Sequence, residues 1–176
     1  MKSIYYARLD SGGLLTTNLQ LYTVRQAIKY WLQLEKDYKS KTFDENILKE
    51  RYVFIVILCG TSVTQLLGQN CLKVKDNKVD NPKTLFREAI FDKERCTKTV
   101  FKKFENFIDD YDDCRHFGKT ANRTKYQTVD DLNYERVKKW YQFTLEIWIL
   151  LLNKLSDCAH EFSLDNIENS LLGDER

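Results

Sequence analysis

Apolar residues recur at three- and four-residue spacing over four long stretches of the chain, and charged residues fill the positions between them. From Thr17 or Asn18, either of which suits a helix N-cap, Leu21, Val24, Ile28, Trp31, Leu32 and Tyr38 keep the period to about Lys39. Asp44, followed by Glu45 and Asn46, opens a second helix through Ile47, Leu48, Phe54, Ile55, Ile57, Leu58, Val63, Leu66 and Leu67. That helix is apolar nearly all round from Val53 to Cys59, which places it in the middle of a bundle, covered by the others. Val100, Phe101, Phe104, Phe107, Ile108 and Tyr111 mark a third helix. Leu132, Val137, Trp140, Tyr141, Leu145, Trp148, Leu151, Leu152 and Leu155 mark a fourth.

The stretches between are polar. Lys73 to Pro82, with Asp76-Asn77 and Asp80-Asn81, reads as the main loop, and Pro82 suits the first turn of the helix that follows. Thr84–Phe91 adds a short helix and Leu164–Leu172 another, while Gly118 ends the third long helix and Ala121–Thr128 is a loop. The opening Ile4-Tyr5-Tyr6 fits a short extended piece or a frayed helix equally. The expectation is an all-α domain over residues 1–176, an antiparallel bundle of about five helices with short extras.

Composition supports helices over sheets. Six Gly and one Pro leave little punctuation for an all-β fold, and ten Phe, ten Tyr and three Trp point to a core filled by large rings. Five cysteines, Cys59, Cys71, Cys96, Cys114 and Cys158, form an odd set with no Cys-x-x-Cys pair, and no basic-then-apolar leader follows Met1. Free thiols in a reducing cytoplasm are therefore expected, and a structural zinc is not. The apolar runs Val53–Cys59 and Ile147–Leu152 fall far short of the ~20 residues needed to span a bilayer. A formal charge of +2 excludes a surface that attracts nucleic acid everywhere, so such binding needs a local patch.

The densest local chemistry lies at the end of the third helix, in Arg115-His116-Phe117-Gly118-Lys119-Thr120. Arg115 comes four residues after Tyr111, which places its guanidinium on the helix's own apolar stripe and turns it toward whatever that stripe packs against. A buried guanidinium requires either a carboxylate inside the bundle or an anionic ligand such as phosphate. Arg115, Lys119, Arg123 and Lys125 with Tyr126 set cations beside a ring, a combination that suits single-stranded RNA. The solvated face Lys93, Arg95, Lys98, Lys102 and Lys103 joins such a surface only where coplanar with that loop. Asp109, Asp113 and His116 share a helix face that could hold a divalent cation, but aspartate bonds to His116, Arg115 or Lys119 account for these residues more simply. Neither a metal ion nor a cofactor is expected. Gly60-Thr61-Ser62 is too short for a phosphate loop, and neither a serine-nucleophile elbow nor a dinucleotide fingerprint occurs. His160 stands alone after the last long helix, and Trp140, Tyr141 and Trp148 read as core packing or a dimer seam.

An arginine ending one bundle helix, a polar neighbour, a loop and then a long amphipathic helix resembles the HEPN superfamily over roughly Val100 to Leu155. Members of that superfamily include many RNA-cleaving toxins and defence proteins, in which paired motifs across a dimer build a composite ribonuclease site. Arg115 matches the family's arginine and His116 its polar neighbour; Thr120, Ala121 and Asn122 stand where its later histidine falls. The resemblance implies a homodimer that binds RNA or another phosphate-bearing ligand and cleaves it without metal. In that role Arg115 stabilises charge and His116, standing in for the absent histidine, carries the proton. The competing reading is a non-catalytic helical module that binds another protein, with Arg115 paired to a carboxylate inside the bundle as a structural strut and His116 capping the helix end, helped by the dipole there.

Overall fold

The computed structural model describes residues 18–41, 44–70, 82–83, 86, 98–116, 131–155 and 162–173. Among them no residue is in a strand, and the long elements are α1 (Asn18–Ser40), α2 (Glu45–Asn70), α3 (Lys98–Arg115), α4 (Tyr134–Leu155) and α5 (Leu164–Leu172). Pro82, Lys83 and Phe86 are also helical, as the proline-led start of a short helix requires. The all-α bundle expected from the periodicity is what forms.

Several helix ends have a local cause. Asp44 caps α2 by accepting from the Asn46 amide at 2.8 Å, and Asn133 caps α4 by accepting from the Arg136 amide at 3.0 Å. Asn166 reaches back to the Ser163 amide at 2.9 Å at the start of α5. At its far end Gly173 adopts φ 62° while its amide bonds the Asn169 carbonyl, a left-handed stop that glycine takes without strain. Between α1 and α2, Arg51 clasps Asp37 across the hairpin, and that hydrogen bond holds the Asp37 carboxyl below the usual carboxylate range. The contribution of this pair is complete above the ordinary carboxylate range and fades as the pH falls through the lowered value.

α2 packs against α1, α3 and α4, the central position its all-round apolar sequence demands, and α5 packs against α1 and α4. Ile55, Val56, Cys59, Val63, Leu66 and Leu67 are buried, whereas Phe54 is exposed and lies edge-on to exposed Tyr30 with ring centroids 4.9 Å apart. Trp140, Tyr141 and Trp148 are all buried in the core. A ladder of rings joins α1 to α4, from Tyr38 to Tyr134 (4.1 Å), Tyr134 to Trp31 (5.4 Å) and Trp31 to Tyr141 (4.9 Å). On the other side Phe86 stacks on Phe104 at 3.8 Å, and Phe107 meets Phe143 edge-on at 5.9 Å. No described helix is long and apolar enough to cross a membrane.

The described thiols sit inside this packing. Burial pushes Cys59 and Cys114 up to about 12, with Asp110 and Asp113 adding to the effect at Cys114, so both remain protonated and weakly nucleophilic near neutrality. Iodoacetamide applied to the native protein at pH 7.5 is expected to leave Cys59 and Cys114 unlabelled, and the same treatment in denaturant to label both. Peptide mass spectrometry reads the result; native labelling at either position contradicts the packing.

Candidate functional site

α3 ends at Arg115, with His116 in the turn directly after it, and both residues are exposed. The expectation that Arg115 is buried on the apolar stripe is corrected: its side chain is 52% exposed. The stripe's last inward residues are Tyr111 and Cys114; beyond them the guanidinium folds back along its own helix. It lies 5.3 Å from the Tyr111 ring and bonds Asp112 Oδ1 at 3.1 Å.

Asp112 therefore organises both groups. Its carboxylate meets Arg115, and its backbone carbonyl accepts from the His116 amide at 3.0 Å and lies 2.8 Å from His116 Nδ1. A carbonyl oxygen can only accept, so this contact places the proton of the neutral imidazole on Nδ1 and leaves the Nε2 lone pair for a proton. The result is a solvent-facing arginine beside a tautomer-fixed histidine. Lys119, Arg123, Lys125 and Tyr126, assigned to ligand binding from the sequence, lie outside the described residues, as do Lys93, Arg95, Gly118 and His160. On the α3 face, Lys102 pairs with Glu105, and Lys103 pairs with Glu146 at 2.8 Å over the Phe143 ring.

The proposed carboxylate face is dispersed. Lys83 takes up Asp109 at 2.9 Å, and no group of three His, Cys, Asp or Glu among the described residues is arranged to hold a metal ion. Gly60 lies inside α2, where Tyr111 packs directly on it, so it serves helix contact rather than phosphate binding.

The buried charge pair that the stripe argument assigned to Arg115 exists five residues earlier on α3, between Asp110, one of the four clustered aspartates before the arginine, and Arg136, which the sequence reading passed over. Asp110 is buried, and Arg136 of α4 grips it twice, Nε to Oδ2 and a terminal nitrogen to Oδ1, both at 2.7 Å. The Trp140 indole N–H adds a third bond to Oδ2 at 2.6 Å. Arg136 is raised further above its ordinary value, chiefly by the Asp110 hydrogen bonds, and its side chain remains 34% exposed. It faces a cleft of about 440 Å3 lined by Asn106, Asp109, Asp110, Glu135, Arg136, Lys139 and Trp140. A signal for the pair was present: Asp110 sits three residues after Phe107 and four before Cys114, and Arg136 lies midway between Leu132 and Trp140.

No protein-family model, curated protein or solved structure matches this chain.

Proposed function

We propose that the chain binds RNA or another phosphate-bearing ligand at the end of α3, and cleaves RNA there without a metal, as an HEPN-like protein of the toxin or antiviral-defence kind. The observation that supports this reading most is the exposed Arg115–His116 pair, with the imidazole held by its Nδ1–H on the Asp112 carbonyl. In such a reaction His116 Nε2 accepts the 2′-hydroxyl proton as that oxygen bonds to the adjacent phosphorus. Arg115 stabilises the charge on the phosphorane oxygens. The imidazolium then returns the proton to the departing 5′-oxygen, leaving a 2′,3′-cyclic phosphate and a 5′-hydroxyl.

Asp112 is no obstacle to a phosphate. An exposed ion pair three residues apart on one helix is worth roughly 0–1 kcal/mol, so a phosphate accepting two hydrogen bonds from the guanidinium can displace the carboxylate from Arg115. The proposal includes a homodimer whose two Arg115 regions face one groove, and a cytoplasmic location. A second reading, a non-catalytic module that binds protein, is favoured by Tyr22, Tyr30, Ile47 and Phe54, all exposed on α1 and α2.

Labelled single-stranded RNA incubated with the protein in chelator separates the two. Cleavage abolished by both Arg115→Ala and His116→Ala is the expected result. Intact RNA with retained binding removes the catalytic part, and no binding leaves the protein-interaction module. Because both side chains are exposed, each substitution is expected to change stability by no more than about 0.5 kcal/mol, which a melting curve checks. A large drop in melting temperature would show that Arg115 acts as a strut.

A further inference from the structure

The cleft between α3 and α4 carries chemistry that the Arg115–His116 pair does not use. Neither of those residues lines it. At about 440 Å3 it falls within the range of small-molecule sites. Its central group is the Arg136 guanidinium, locked in orientation by a buried carboxylate. Two of its five N–H groups go to Asp110. Among the described residues no hydrogen bond engages the other three, Asp131 acts on the guanidinium through its charge, and the side chain is one-third exposed. A guanidinium whose plane is already fixed forfeits little freedom when it grips a second oxyanion, which is the arrangement that favours a bidentate phosphate.

The surrounding charges define the ligand further. The ammonium of Lys139, one turn beyond Arg136, lies 4.5 Å over the Trp140 ring, on the wall of the same cleft. Of the carboxylates there, Asp110 is matched by Arg136 and Asp109 by Lys83 at 2.9 Å. Glu135 and Asn106 remain as acceptors at the rim. Glu135 would repel a bare anion but would accept hydrogen bonds from hydroxyl groups carried beside one.

We propose that this cleft is a binding site for a ribose phosphate of mononucleotide size, its phosphate held by Arg136 and Lys139 and its sugar hydroxyls by Glu135 and Asn106. The site stands independently of RNA cleavage at the end of α3.

The Trp140 indole N–H, bonded to the carboxylate that holds Arg136, is a built-in reporter. Its proton–nitrogen resonance, assigned among the three indoles by Trp140→Phe, is followed while adenosine 5′-monophosphate, inorganic phosphate or adenosine is added. At about 10 mM ligand even a site of ~1 mM affinity is mostly filled. The expected result is a saturable shift with adenosine 5′-monophosphate, weaker binding of inorganic phosphate, and none with adenosine. Lys139→Ala, which leaves the Asp110 pair intact, is expected to weaken binding at least tenfold at an unchanged melting temperature, and His116→Ala to leave it unchanged. Arg136→Lys, with its fold verified by melting, is expected to bind no better than Lys139→Ala. A silent Trp140 resonance, adenosine binding as well as its phosphate, full affinity in Lys139→Ala, or loss in His116→Ala would each overturn the proposal.

Discussion

Asp110→Ala is expected to lower the unfolding free energy by about 3 kcal/mol, the low end of the range for breaking a buried ion pair. Two effects add. Arg136 loses the partner that compensates the buried part of its charge, and the Trp140 indole N–H is left without an acceptor. The one-third exposure of Arg136 keeps the figure from being larger, because water can reach part of the guanidinium. For a chain of 176 residues this corresponds to a fall of roughly 6–12 °C in melting temperature. Asp110→Asn, which retains an acceptor for the indole, should lose less. The combined Asp110→Leu and Arg136→Met variant should be more stable than either single change, since two apolar groups need no compensation. Urea unfolding of the parent, Asp110→Leu, Arg136→Met and the double variant measures the coupling. A parent-like Asp110→Ala would mean that this network contributes little to the fold.

Gly60→Ala should cost about 2 kcal/mol despite replacing a mid-helix glycine with the best helix former. A methyl at Gly60 would overlap Cγ and Cδ2 of Tyr111 and come within 2.7 Å of its Cβ. Those atoms lie at the root of the side chain, so no rotation about the ring bond moves them aside, and α2 and α3 must separate. The gain of up to ~1 kcal/mol in helix propensity offsets only part of the overlap. In a Tyr111→Gly background the ring and its Cβ are both gone, and the same substitution should become neutral or stabilising. That reversal of sign distinguishes a steric cause from a general intolerance of α2. Thermal melts of the two singles and the double suffice to see it.

The helices were legible in the sequence because each is an autonomous pattern. Asp44 announced its cap, Leu164–Leu172 was expected as a short helix, and the apolar girth of Val53–Cys59 foretold the central place of α2. The candidate site was legible only as a neighbourhood. Four aspartates crowd Asp109 to Asp113, and spacing alone puts Arg115 on the apolar stripe of α3 and Asp110 only at its edge. Which aspartate is buried depends on what α4 sets opposite it, and that is Arg136 and Trp140, some twenty-five to thirty positions away. Arg115 stands at the final residue of its helix, where no rule of periodicity says whether another element covers it.

What the chain determined by itself is therefore local: where turns of helix begin and end, which side of each is apolar, and that large rings fill the interior. Those properties follow from interactions within a few residues of one another. The tertiary structure decided the partners: Asp110 with Arg136, Tyr111 on Gly60, Arg115 turned outward onto Asp112. Such pairings follow from how two helices approach and in what register, a matter of packing between surfaces that no single stretch of sequence contains.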